Sequence, residues 1–179
     1  MIKSSILIAG LFVLNTGASD RILSKPDISD EQIAWMEEQS FLLDGETPIF
    51  FYQDDPRSIE VGGNLLTDQY VGSWWRDEGE LGSRFFKLGE LCEIEKIQDG
   101  GRNEVAIYRL YGPDRDEEWA EVWLSVVGDR HLDFIRRTNT FNNRRMNDAF
   151  KAFCDRGEAV DWSVVRAANG IPDRIQTKG

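Results

Sequence analysis

The chain holds one histidine, two cysteines and five prolines in 179 residues, and beyond its first twenty residues no apolar run approaches the length of a membrane span. Each shortage removes a class of function. Two cysteines and one histidine do not make a recognised Cys/His zinc spacing. A bilayer-crossing helix needs roughly 20 consecutive apolar residues. The Gly-x-Ser-x-Gly elbow of a serine hydrolase is missing, and cysteine nucleophile chemistry would compete with a disulfide. The glycines at 62, 63, 100 and 101 stand between runs of strand character rather than at strand-to-helix junctions, so they do not cradle a phosphate. From these shortages we expect no catalytic constellation, no metal site and no cofactor. Carboxylates alone stay open as catalysts, because nothing in their spacing singles out a pair.

Positive charge is also scarce. Setting aside residues 1–18, which hold Lys3, leaves 20 cations against 32 anions, a formal charge of −12. Such a surface repels phosphate backbones and anionic lipid headgroups, which argues against nucleic acid and peripheral membranes as partners.

What is present begins with a leader. One cation at Lys3, an apolar run from Ile6 to Leu14 and small residues at Gly17-Ala18 have the order and length of a secretory signal peptide over 1–18. The mature chain then starts near Ser19, and no membrane insertion is expected after cleavage. We expect a protein exported to a periplasmic or extracellular space. In that setting an even count of cysteines predicts one disulfide, Cys92 to Cys154, over the alternative of two buried thiols. The bridge would close about 60 residues, worth on the order of 4 kcal/mol in the chain-entropy picture.

Residues 19–46 read as a polar lead-in and a short helix. Ser29 with Gln32 three residues on has capping-box spacing, so a helix is predicted over 30–40, with Gly45 beyond it. From Ile49 the signal is strands and turns. "PIFFYQ" is β-branched and aromatic, and "DDPRS" ends it. "SIEV" is a strand, Gly62-Gly63-Asn64 supplies a hairpin turn, and "LLTDQYVGSWW" is the return strand. Asp77-Glu78-Gly79-Glu80 turns again. "LGSRFFKLGELCEIEKI" is one long strand or a pair bent near Gly89, and "NEVAIYRLY" and "EWAEVWLSVV" are strands. In the last, Ala120, Val122, Leu124 and Val126 share a face opposite Trp119, Glu121 and Trp123. "RHLDFIRR" is read as a strand with Leu132 and Phe134 on one face. A helix over 142–156 follows, capped by Asn142 or Asn143, with the stripe Met146-Ala149-Phe150-Phe153. Residues 157–179 are a C-terminal segment and tail.

Gly72-Ser73-Trp74 has the Gly-x-Trp spelling that opens the first lipocalin strand, but two or three predicted strands precede it and only about four follow. A second resemblance fits the order better. "FFYQDDPRSIEVGGNLLTDQYVGSWW" resembles the opening hairpins of bacterial pleckstrin-homology-like domains, mainly over residues 51–75. That resemblance implies a mainly β, α+β fold over 47–156: a partly open antiparallel barrel of about seven strands with a C-terminal capping helix. The short N-terminal helix precedes it. Headgroup-binding relatives carry cations in the first hairpin loop, whereas Asp54-Asp55-Pro56-Arg57 is net negative here. The resemblance therefore implies a scaffold and not lipid recognition.

His131, alone in its predicted strand, reads as structural rather than catalytic. Asp114, Asp116, Glu117 and Glu118 could gather weakly around calcium, but they lack the glycine and terminal glutamate of an EF-hand loop and read as a solvated turn. Aromatics say more. Adjacent Trp74 and Trp75 must point to opposite faces of their strand, so one is core and one is free to recognise something. With Trp75, Trp119 and Trp123 as candidate binding residues, we expect a non-enzymatic module that meets a protein or peptide through a sheet face or edge. The alternative is a lipocalin-like carrier of a small apolar ligand.

Overall fold

A computed structural model describes residues 22–55, 57–100, 104–113, 115, 119–126 and 130–156. The predicted leader, the acidic residues Asp114, Asp116, Glu117 and Glu118, and the tail from 157 lie outside the described residues. Within them the fold is mainly β, with two antiparallel sheets, three α-helices and no closed barrel.

The first sheet is a meander of five strands in chain order: β1 (Leu23–Ser24), β2 (Pro48–Asp55), β3 (Ser58–Thr67), β4 (Tyr70–Asp77) and β5 (Glu80–Lys87). The second has three: β6 (Glu93–Gln98), β7 (Val105–Tyr111) and β8 (Trp119–Ser125). "LGSRFFKLGELCEIEKI" is thus a pair of strands, and they belong to different sheets. Gly89, with φ +105°, lies in the crossover between them.

Between β1 and β2 lies α1 (Asp30–Glu38). Its capping box forms as expected: the Gln32 amide donates to Ser29 Oγ, and the Ser29 amide donates to the Gln32 side chain. Gln32 Nε2 also donates to Gln53 Oε1 at 3.0 Å, which pins the helix to β2.

Period-two alternation divides the five-stranded sheet cleanly. Phe51, Leu65, Trp74 and Phe85 face α1 and form one core with Met36, Phe41 and Leu42. Trp74 is 1 % exposed, stacks on Phe41 and Phe51, and donates its indole N–H to the Ile59 carbonyl at 2.9 Å. So Trp74 is the core member of the pair. The opposite face carries Phe50, Tyr52, Leu66, Val71 and Phe86, which pack with Ala106, Tyr108, Leu110, Ala120, Val122 and Leu124 of the second sheet in a second core.

Four expectations are corrected. The pair Gly62-Gly63 lies inside β3, opposite Trp75 and Trp74 of β4, and forms no turn. A Cβ on Gly63 would meet the Trp74 ring at 2.6 Å, so the missing side chain is what lets the indole lie flat across the strand. The turn falls instead within "LLTDQYVGSWW", at Asp68-Gln69, where buried Thr67 Oγ1 accepts from the Gln69 and Tyr70 amides. "RHLDFIRR" is not a strand but the start of α2 (Arg130–Arg145). Leu132 is therefore 47 % exposed while Phe134 is fully buried, two positions that a strand would place together and a helix sets far apart.

The fourth concerns the C-terminal helix, which is shorter than expected: α3 (Asp148–Arg156). Its first turn is held by Asn147, whose Oδ1 accepts from the Phe150 amide at 2.8 Å, and not by Asn142 or Asn143. The stripe breaks at exposed Ala149, although Phe150 is buried. Phe153 has no described side chain. Asn142 is buried in α2 and spans the crossover: Oδ1 accepts from the Gly89 and Leu91 amides, and Nδ2 donates to the Leu91 carbonyl. Close by in sequence, Cys92 forms a disulfide with Cys154 of α3, Cα atoms 5.1 Å apart. No helix among the described residues is long and apolar enough to cross a membrane.

Candidate functional site

Where the two sheets diverge, a cleft of about 930 Å³ opens between the second-core face of β2–β5 and the strands β7 and β8. Its floor and walls follow from alternation. Beyond buried Phe50 and Tyr52 on β2 comes Asp54. Beyond Leu66 on β3 comes Asn64, and beyond Val71 on β4 come Ser73 and Trp75. The apolar residues close the core; the polar ones and Trp75 line the cleft.

Trp75 is 44 % exposed, with its ring over Gly82 of β5, where a Cβ would lie 2.8 Å from the indole nitrogen. Trp119 and Trp123 come from β8 in the other sheet and are 39 % and 43 % exposed. The structure thus brings together all three tryptophans singled out from the sequence, Trp75, Trp119 and Trp123, on one cleft.

The two β8 rings are held by their own neighbours. Arg109 on β7 stands 4.6 Å over the Trp119 ring and pairs with Glu121 at 2.5 Å. The second Glu121 oxygen accepts from Trp123 Nε1 at 3.1 Å. Ring, cation, carboxylate and ring form one row, which restricts both indoles before anything binds.

β8 has β7 on one side only, and side chains of the first sheet engage its other edge. Asn64 Nδ2 donates to the Trp123 carbonyl at 2.6 Å, and the Trp123 amide donates to Asn64 Oδ1 at 3.1 Å. Arg84 Nη1 donates to the Trp119 carbonyl at 2.7 Å. Side chains thereby occupy backbone positions on which an added strand would otherwise pair.

Asp54 is the member that sequence reasoning missed. "DDPR" reads as a charged loop, yet Asp54 lies in β2 at an irregularity between the Gln53–Gly63 and Asp55–Ser58 pairs. Its neighbour Asp55 pairs with Arg57, which holds the Asp55 carboxyl down at about 2. Asp54 has no such partner: Oδ1 is buried without a hydrogen bond, and burial pushes the carboxyl up to about 6. The glycine opposite, Gly62, was the available signal, because its missing side chain makes the room that the Asp54 carboxylate occupies.

His131 is buried in the first turn of α2 and does not line the cleft. Among the described residues no group of three His, Cys, Asp or Glu side chains is placed to hold a metal. No protein-family model, curated protein or solved structure matches this chain.

Proposed function

We propose that the chain is an exported, non-enzymatic binding module on a pleckstrin-homology-like scaffold, and that it takes a segment of a protein or peptide partner in the tryptophan cleft. One observation carries the reading. Trp75 from one sheet and Trp119 and Trp123 from the other, far apart in sequence, converge on a single opening with each ring about two-fifths exposed. Aromatic anchors fixed before contact supply large contact area at low entropic cost. The engagement of β8 by Asn64 and Arg84 favours the cleft over strand addition at the edge. The apolar leader, the disulfide and the lack of a described membrane-crossing helix are compatible with export.

Cleft volume supports the second reading, a carrier of a small apolar ligand, since about 930 Å³ lies inside the range of small-molecule pockets. Two measurements separate them. Partner capture from the native compartment should succeed with the wild type and fall at least tenfold with Trp75→Ala, Trp119→Ala and Trp123→Ala combined, circular dichroism unchanged. Equal capture by that variant would refute the cleft as the site, and a small apolar molecule retained in native mass spectrometry would favour the carrier.

A further inference from the structure

An unpaired carboxylate at the wall of an aromatic cleft is costly, because ionised groups out of water need a counter-charge. The cations that line the cleft, Arg76 and Arg84, and Arg109 beside it are committed elsewhere. Arg84 holds the Trp119 carbonyl, Arg76 holds the carbonyls of Glu60 and Gly79, and Arg109 holds Glu121. No hydrogen bond or ion pair among the described residues joins any of them to Asp54. The carboxylate lies over Gly62, with Oδ2 2.7 Å from where a Cβ would stand.

We infer that the bound segment presents a basic side chain to this cleft, with Asp54 as its counter-charge and Trp75, Trp119 and Trp123 as its walls. This rests on the peptide-binding reading above and adds a chemical preference to it. The occupant is set by charge complementarity. A cation restores the pairing that Asp54 lacks and gains from indole faces besides, whereas an apolar or neutral group leaves the carboxylate uncompensated. Arginine fits better than lysine, because its planar guanidinium can stack on an indole and present two N–H groups to a carboxylate at once. The mature chain's formal charge of −12 acts in the same direction, drawing basic partners and repelling acidic ones. Of the two other carboxylates that line the cleft, Glu121 is already neutralised by Arg109 and Asp77 is exposed to water at the end of β4, so Asp54 decides the preference.

The test is a selection of displayed random heptapeptides on the intact protein at pH 7.5, run in parallel on Asp54→Asn and on the triple tryptophan-to-alanine variant. Wild type should enrich arginine- or lysine-bearing peptides that the triple variant does not. Remade with citrulline in place of arginine, those peptides should bind wild type at least tenfold more weakly, and Asp54→Asn should discriminate between the two forms several-fold less than wild type does. Cleft-dependent peptides without a basic residue, or with equal affinity for the citrulline form, would overturn the cation preference and leave the binding module standing. Selection of no peptide, or only of peptides indifferent to the triple variant, would overturn both. The citrulline comparison uses wild-type protein, so it holds even if Asp54→Asn folds poorly.

Discussion

The Asn64 side chain forms two hydrogen bonds with the backbone of Trp123, donating to its carbonyl at 2.6 Å and accepting from its amide at 3.1 Å. Nothing else described joins a side chain of the large sheet to both polar groups of one residue in the small sheet. The pairing mimics a strand neighbour, and it sets β8 at the cleft with its tryptophans at the opening.

Replacing Asn64 by alanine should therefore loosen the cleft as well as lower stability. It orphans a donor and an acceptor at a partly buried position, for a cost of about 1–3 kcal/mol. For a domain of this size that is a fall in Tm of about 2–12 °C in a thermal melt. Asn64→Asp should fare no better, because a carboxylate cannot donate to the Trp123 carbonyl.

Two glycines that support indole rings should respond differently to alanine. At Gly63 the new Cβ meets the Trp74 ring at 2.6 Å and the Tyr52 carbonyl at 2.7 Å, both within packed structure. Overpacking of that kind costs about 1–3 kcal/mol, visible as a lower urea midpoint. At Gly82 the three atoms nearest the Cβ all belong to the Trp75 indole, which is 44 % exposed and can swing aside. Gly82→Ala should keep the urea midpoint and weaken partner binding; a matching loss of stability at both positions would contradict the distinction.

Asp54 makes stability depend on pH in an unusual direction. Its folded carboxyl titrates at about 6, above the ordinary 3.8, so between these values the folded protein holds a proton that the unfolded chain has released. The Asp54 contribution therefore improves as pH falls from about 6 to about 4 and is lost again as pH rises. Asp55, held down at about 2 by Arg57, acts oppositely and lower: its contribution is present above about 3.8 and is lost as pH falls toward 2. Asp54→Asn should melt higher than wild type at pH 7.5, by an amount on the order of 3 kcal/mol at most, and the advantage should shrink as the pH is lowered toward 4. Around Asp54 the other titratable groups of the cleft are Tyr52, Arg76, Asp77, Arg84 and Glu121. An advantage as large at pH 4.5 as at pH 7.5 would mean that Asp54 is not the titrating group.

Legibility differed by element for physical reasons. The α1 cap, the Glu78-Gly79 turn and the buried row of β8 were readable because each depends on contacts within a few residues. The start of α2 was hidden because its inward face uses polar side chains: Thr138 is fully buried and donates to the Phe134 carbonyl, and Asn142 is buried on the crossover. Read as hydrophobicity, that face has gaps, and Leu132 with Phe134 imitates a strand. Gly62-Gly63 imitated a turn because glycine tolerates both a tight bend and a close cross-strand approach, and only the partner across the strand tells them apart.

By itself the sequence determined the class of molecule: a mainly β chain with an N-terminal capped helix, two cysteines placed for one bridge, an excess of acidic residues and tryptophans surplus to any single core. These follow from composition and local period. Tertiary structure decided which tryptophan is buried, that Trp75, Trp119 and Trp123 share one cleft, and that Asp54 stands in it without a partner. Those depend on how two sheets, joined by a crossover at Gly89, settle against each other. That settling is a property of packing between residues dozens of positions apart, on which no local pattern reports.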